Sequence, residues 1–170
     1  MFSKACEYGI KATLFIVNKS QENARVSLKE IAREIDSPVS FTAKILQKLV
    51  KEKLLDSLKG PTGGFELSQA KAAKIKLSQI VEAIDGDSIY KGCGLGLKQC
   101  NENMPCPLHS RFKQIREDLR DMLEETSLLE LSNDIHNGLT FLKRNKNSTT
   151  GKKNKNGNHP ITQRRIIRGE

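Results

Sequence analysis

Three of the chain's four cysteines fall in one short stretch, YKGCGLGLKQCNENMPCPLH at residues 90–109. Cys93 and Cys100 are separated by six residues, Cys100 and Cys106 by five, and His109 follows Cys106 with two between. Structural zinc sites usually draw on closer cysteine pairs, with about two to four intervening residues. The wider spacing suits a larger object, an iron–sulfur cluster, whose irons take separated thiolates. Glycines at 92, 94 and 96 let the backbone wrap closely and aim N–H groups at sulfur. Pro107 fits the first position of a long following helix, which would put Cys106 at that helix's N-terminus, where unpaired N–H groups favour a thiolate. Three cysteines leave one ligand to find. His109 is the nearest candidate, and Glu7, near the start of the chain, is the rival. Cys6, isolated from the others, reads as a small buried residue.

Such chemistry needs a reducing compartment. The N-terminal stretch MFSKACEYGIKATLFIVNKS has an acidic Glu7 before its apolar run and no small-residue cleavage site after it. It therefore reads as an amphipathic helix and not a signal peptide. No apolar run approaches the roughly 18 residues of a membrane span. The expectation is a cytoplasmic protein with no membrane partner, in which clustered cysteines are metal ligands or redox groups and not disulfides.

The 170 residues carry a net charge of +9, unevenly spread. Residues 1–76 hold +6, residues 77–142 hold −5, and residues 143–170 hold +8. These divisions match a basic first domain, an acidic middle with the cysteine loop, and a basic tail. The tail is poor in apolar residues and is expected to be disordered, where it could add affinity for phosphates.

Within the first domain, Ala5, Tyr8, Ala12, Phe15 and Ile16 share one face of a helix over 3–18. Ser27 and Glu30 form a capping box for a second helix, whose Leu28, Ile31, Ala32 and Ile35 keep helical spacing. Ser37 is a good N-cap and Pro38 a good first-turn residue for a third. There Ile45, Leu46, Leu49 and Val50 make a buried stripe, and Ser40, Lys44, Gln47, Lys48 and Lys51 line the opposite face. Two short helices joined by the turn DSP, the second with a basic outer face, suggest a helix-turn-helix. The segment LLDSLKGPTGGFELS then reads as strand, tight turn, strand, which makes a winged helix with Lys59 and Thr62 at the wing tip. Leu77, Ile80, Val81 and Ile84 mark a short helix before the cysteines. After them, Leu108, Phe112, Ile115, Leu119, Met122 and Thr126 follow a heptad-like 4, 3, 4, 3, 4 spacing on a long helix. The fold expected is mainly α with a small β wing, ending in a dimerisation helix.

Together these pieces resemble the Rrf-two family of bacterial winged-helix transcriptional regulators, the group of the IscR and NsrR types. The resemblance spans about residues 1–140. It is carried by EYGIKATLFI, SLKEIAREIDSPVSFTAKILQKLVKEKLL, LKGPTGGFELS and the three cysteines with CPLH. It implies a homodimer whose long helices pack on each other, a double-stranded DNA operator, and a cluster held by Cys93, Cys100 and Cys106. The CPLH step resembles the IscR type, in which a histidine completes a [2Fe–2S] site, so [2Fe–2S] is favoured over [4Fe–4S]. Glu7 falls where other members place an acidic ligand from the partner subunit. Ser40, Thr42, Lys44, Gln47 and Lys48 would face the major groove or its phosphates, with Phe41 either touching a thymine methyl or packing inward. Lys59 and Thr62 would serve the wing.

The resulting expectation is a DNA-binding regulator that senses redox state, iron or nitric oxide through its cluster. The alternative is a winged-helix regulator whose loop binds zinc or senses through thiols, with no cluster. An enzyme is not expected, because the sequence holds no phosphate loop and no convincing nucleophile–base pair.

Overall fold

The computed structural model describes residues 2–60, 62–98 and 100–143. The basic tail expected from 143 therefore lies outside the described residues from 144 onward. Helix α1 (Lys4–Gln21) opens with Ser3, whose hydroxyl accepts from the Cys6 N–H. It is the central support of the domain. Its Cys6, Ala12, Ile16 and Val17 are completely buried, and it packs against five of the helices that follow.

Helix α2 (Leu28–Glu34) begins with the capping box read from the sequence: Ser27 accepts from Glu30 N–H, and the Glu30 carboxylate accepts from Ser27 N–H at 2.8 Å. A turn through Asp36, which adopts a left-handed conformation at φ 54°, leads into α3 (Val39–Lys51). Here the structure differs from the expectation. Pro38 occupies the N-cap position, and among the described residues no side chain caps the helix and the buried Ser37 hydroxyl has no partner.

Strands β1 (Asp56–Leu58) and β2 (Gly64–Glu66) pair antiparallel, with Ser57 opposite Phe65. Val26 extends this small sheet by exchanging two backbone hydrogen bonds with Phe65, at 3.1 and 2.9 Å. The hairpin requires glycine at 63, where a Cβ would lie 2.2 Å from the Leu58 carbonyl oxygen. Leu67, which follows β2, is wholly buried and ties the wing to the core.

A short α4 (Gln69–Ala72) leads to α5 (Leu77–Asp85), whose Leu77, Ile80 and Val81 are buried. Helix α6 (Ser88–Lys91) precedes the cysteine loop. The long α7 (His109–Glu125) follows the loop, and α8 (Leu128–His136) closes the domain against α1. The α7–α8 junction is locked to the start of α5. Leu77 N–H donates to the Thr126 carbonyl at 2.9 Å, and Leu128 N–H donates to the Ile75 carbonyl at 3.0 Å. The architecture is therefore mainly helical with a small two-stranded wing.

Candidate functional site

Two surfaces carry the residues singled out above. The first is the outer face of α3 with the wing. Ser40, Lys44, Gln47, Lys48, Lys59 and Thr62 are all exposed. Ile45, Leu46 and Leu49, buried on the other side of α3, fix which face is outward. Phe41 is partly exposed and meets Tyr8 of α1 edge-on, with ring centroids 5.9 Å apart. That contact favours packing, although the residue stays 37% exposed.

Thr42 departs from its expected role. It is fully buried, and its hydroxyl donates to the Pro38 carbonyl at 3.0 Å. It cannot offer its methyl to a groove in this arrangement. The reason is helical period: Thr42 lies three and four residues before Ile45 and Leu46, so it shares their inward stripe. Lys48 also has a partner that the sequence did not disclose. Its ammonium donates to the Ile84 carbonyl at 3.2 Å. A cation at the C-terminal end of α5 is well placed for the helix dipole, and it joins α3 to the element that leads into the cysteine loop. Helix α1 comes close to both at Gly9, where a Cβ would sit 2.1 Å from Ile84 Cδ1 and 3.4 Å from Ile45 Cγ2.

The second surface is the cysteine loop, residues 92–108, seated against one face of α7. The fold brings all four expected donors into two pairs. Cys93 Sγ and Cys106 Sγ are 3.8 Å apart, and Cys100 Sγ lies 3.3 Å from His109 Nδ1. His109 is the first residue of α7 and is buried, whereas the three sulfurs belong to half-buried residues. The helix starts two residues later than the sequence suggested. Leu108 takes the N-cap position, and Cys106 stands before it in a turn whose carbonyl accepts from His109 N–H at 2.9 Å. Backbone N–H groups of Leu95 and Leu97 hold the Cys93 thiol below its ordinary range, aided by Cys106 and the Arg116 charge and opposed by desolvation.

Glu7 is not part of this group. It sits on the first turn of α1, where the Lys4 ammonium at 2.7 Å keeps its carboxyl below the usual range. Cys6 lies apart as well, fully buried, its thiol pushed up to about 12 by burial and then by Asp85.

Residues on one side of α7 grip the loop. A Cβ at Gly94 would lie 2.6 Å from the Phe112 ring, so Gly94 permits that ring to lie on the backbone. Arg116 donates from Nη1 to the Gly92 carbonyl at 2.8 Å and from Nη2 to Cys100 Sγ at 3.5 Å. Arg120 stands over the Tyr90 ring at 5.3 Å, joining α6 to α7. Arg116 was missed in the sequence, yet its seven-residue distance from His109 is a usable signal, because it repeats on the same helix face two turns on.

The two-by-two spacing bears directly on what these donors can hold. Two thiolates on one tetrahedral metal with bonds of about 2.3 Å stand about 3.8 Å apart, and a thiolate and an imidazole slightly closer. Each pair thus has the bite of one metal. Among the described residues, no three His, Cys, Asp or Glu side chains converge to hold a single ion. The donor types suit a metal centre, and Cys93 with Cys106 and Cys100 with His109 are the described residues that would hold one.

The expected heptad seam is divided by the structure. Leu119 packs on the core and Leu123, not assigned to the seam, is completely buried, but Ile115 and Met122 remain 57% and 46% exposed. Among the described residues nothing covers this stripe of α7. Among the described residues, no helix is long and apolar enough to cross a membrane.

Comparison with known proteins places these surfaces in context. A family model for Rrf2, described as iron-dependent transcriptional regulators, matches residues 2–134. The chain is 28% identical over 127 residues to the transcriptional regulator IscR of Vibrio campbellii, covering 75% of this chain and 74% of that protein. Its fold is similar to that of CymR, the global cysteine regulator of B. subtilis, with TM-score 0.63 and 21% identity over 78% of this chain and 96% of the other. It is also similar to T. potens IscR, with TM-score 0.62 and 18% identity over 83% and 92%. At such identities the two solved structures speak for the fold alone.

Proposed function

The chain belongs to the Rrf2 family of transcriptional regulators, and from that premise we propose that it is a DNA-binding regulator that senses through a [2Fe–2S] cluster. Cys93, Cys106, Cys100 and His109 would hold the cluster, in the two pairs described. When bound, a cluster of this kind supplies a labile, redox-active group that iron supply, oxygen or nitric oxide can alter. The observation that carries the reading is the pairing itself: four donors in one loop, each pair at the spacing of one metal. His109 is favoured over Glu7 as the fourth ligand because it already lies beside Cys100, whereas the Glu7 carboxylate is engaged by Lys4.

The protein's own residues supply the rest of the mechanism. Lys44, Gln47 and Ser40 read base edges in the major groove, Lys48 and Lys59 neutralise phosphates, and Thr62 lies at the wing tip. Two copies join through the uncovered Ile115–Met122 stripe of α7, which spaces two reading heads on a two-fold operator. The loop presses on α7 beside that stripe. A change in loop order is therefore passed to the dimer helix, and Lys48, bound to the Ile84 carbonyl, links the reading helix to the same region. The setting is the cytoplasm.

The second reading, a loop that senses through thiols or binds zinc without a cluster, is favoured only by the closeness of the Cys93 and Cys106 sulfurs. The two are separated by an absorption spectrum from about 300 to 700 nm of anaerobically purified protein, with iron and sulfide analysed on the same sample. The proposal predicts a brown protein with equal iron and sulfide, lost in His109→Ala and kept in Glu7→Ala. A protein that stays colourless after anaerobic reconstitution would leave the thiol reading in its place.

A further inference from the structure

We propose that Arg116 is the positioning residue of the cysteine centre, holding both donor pairs to α7 with one guanidinium and passing their state into that helix. The proposal rests on the reading of the loop as a cluster site. Its observations are the two bonds of Arg116, to the Gly92 carbonyl at 2.8 Å and to Cys100 Sγ at 3.5 Å. Gly92 adjoins Cys93, so the first bond fixes the backbone that delivers the Cys93/Cys106 pair. The second touches the Cys100/His109 pair directly. No other side chain on α7 reaches both among the described hydrogen bonds. Lys113 pairs with Glu102 at 2.8 Å, and Arg120 is laid over Tyr90.

The chemistry suits the role. A guanidinium is planar, permanently charged, and carries donors in fixed directions, so it can bridge two acceptors that a lysine ammonium meets one at a time. Arg116 also follows Ile115, the most exposed apolar residue of the α7 stripe, in the next position of the helix. If Cys100 leaves its place, Arg116 is left with one of its two partners at the point where the loop-facing and uncovered stripes of α7 lie side by side. That gives a direct route from the ligands to the dimer surface.

The test compares wild type, Arg116→Gln and Arg116→Lys, each reconstituted anaerobically with ferrous iron and sulfide. Three quantities are read: iron and sulfide bound, the rate of iron loss to a chelator, and the ratio of DNA affinities in the loaded and stripped forms. The DNA is a duplex selected from a random-sequence pool by the wild-type protein. All three proteins are expected to load, because the four ligands are intact. Arg116→Gln should lose iron about tenfold faster, the scale of one charge-assisted hydrogen bond, and its loaded-to-stripped affinity ratio should fall to near one. Arg116→Lys, which restores charge without the bridge, should lose iron at an intermediate rate and still show the collapsed ratio. The stripped proteins should melt at the same temperature as stripped wild type. Unchanged iron loss and an unchanged affinity ratio in Arg116→Gln would overturn the proposal while leaving the cluster reading intact. A lowered melting temperature in the stripped variant, with rescue by lysine, would overturn it too, by making the residue merely structural. Wild type that binds neither iron nor sulfide would remove the cluster reading, and the proposal with it.

Discussion

In the reading head, Leu46, Leu49, Leu55 and Leu67 are shut away from solvent, and the wing is joined to Val26 by backbone hydrogen bonds. In the cysteine loop the apolar residues do the opposite: Leu95, Leu97 and Met104 are 50%, 56% and 77% exposed. The head is held by burial, which the chain provides for itself. The loop is held by a few side chains of α7, those of Phe112, Lys113 and Arg116, around four donors. A segment with so little buried apolar surface has low local stability, so whatever binds its donors dominates its order. That contrast suits the proposed function, in which a sensing loop is joined to a rigid reader.

The largest effect that sharpens the contrast is at the donors. Cys106→Ser should abolish iron and sulfide uptake, measured on reconstituted protein, yet leave the melting temperature of the metal-free form unchanged. Loss of stability in the metal-free form would mean that the loop contributes to the fold as the head does. Next comes the core of the head. Leu49→Ala should cost about 2–5 kcal/mol in denaturant unfolding, the range for deleting a buried leucine side chain, with cluster uptake preserved in the protein that remains folded. Ile115→Glu should convert the dimer to monomer in sedimentation and weaken operator binding, because two half-sites are no longer joined. Lys44→Ala should cost about 1–3 kcal/mol of discrimination between bases, whereas Lys59→Ala should weaken all sequences alike and flatten the salt slope by about 0.9 for the one phosphate it no longer neutralises. Smallest is Ser37→Ala. The hydroxyl there is buried and has no partner among the described residues, so its removal should be neutral or slightly stabilising in thermal melts.

Most of the head was legible in the sequence because local rules agree with its tertiary packing. The Ser27–Glu30 box, the Ile45–Leu46–Leu49 stripe and the glycine-dependent hairpin are each decided within a few residues. Thr42 was misplaced although its spacing from Ile45 and Leu46 put it on the inward stripe; its polarity was given more weight than its period. Ser37 failed as a cap because the chain turns through a left-handed Asp36 and hands the position to Pro38. In the loop, the donor types and their number could be read, but not their pairing. Cys93 meets Cys106 across thirteen positions and Cys100 meets His109 across nine, and no local periodicity specifies such pairs. Arg116 and the Lys48–Ile84 link were hidden for the same reason, since each joins elements through a single side chain. Leu123 was passed over because a strict heptad seam leaves out the neighbouring stripe that faces the domain core.

The most direct test of the division between a self-sufficient head and a ligand-dependent loop is amide hydrogen exchange on one preparation, before and after anaerobic reconstitution with iron and sulfide. Amides in residues 92–108 and the first turns of α7 should gain protection by an order of magnitude or more on loading, while those within α3 and the wing keep theirs. Equal protection of the loop in both states would contradict the division, because the loop would then hold its own order with nothing bound.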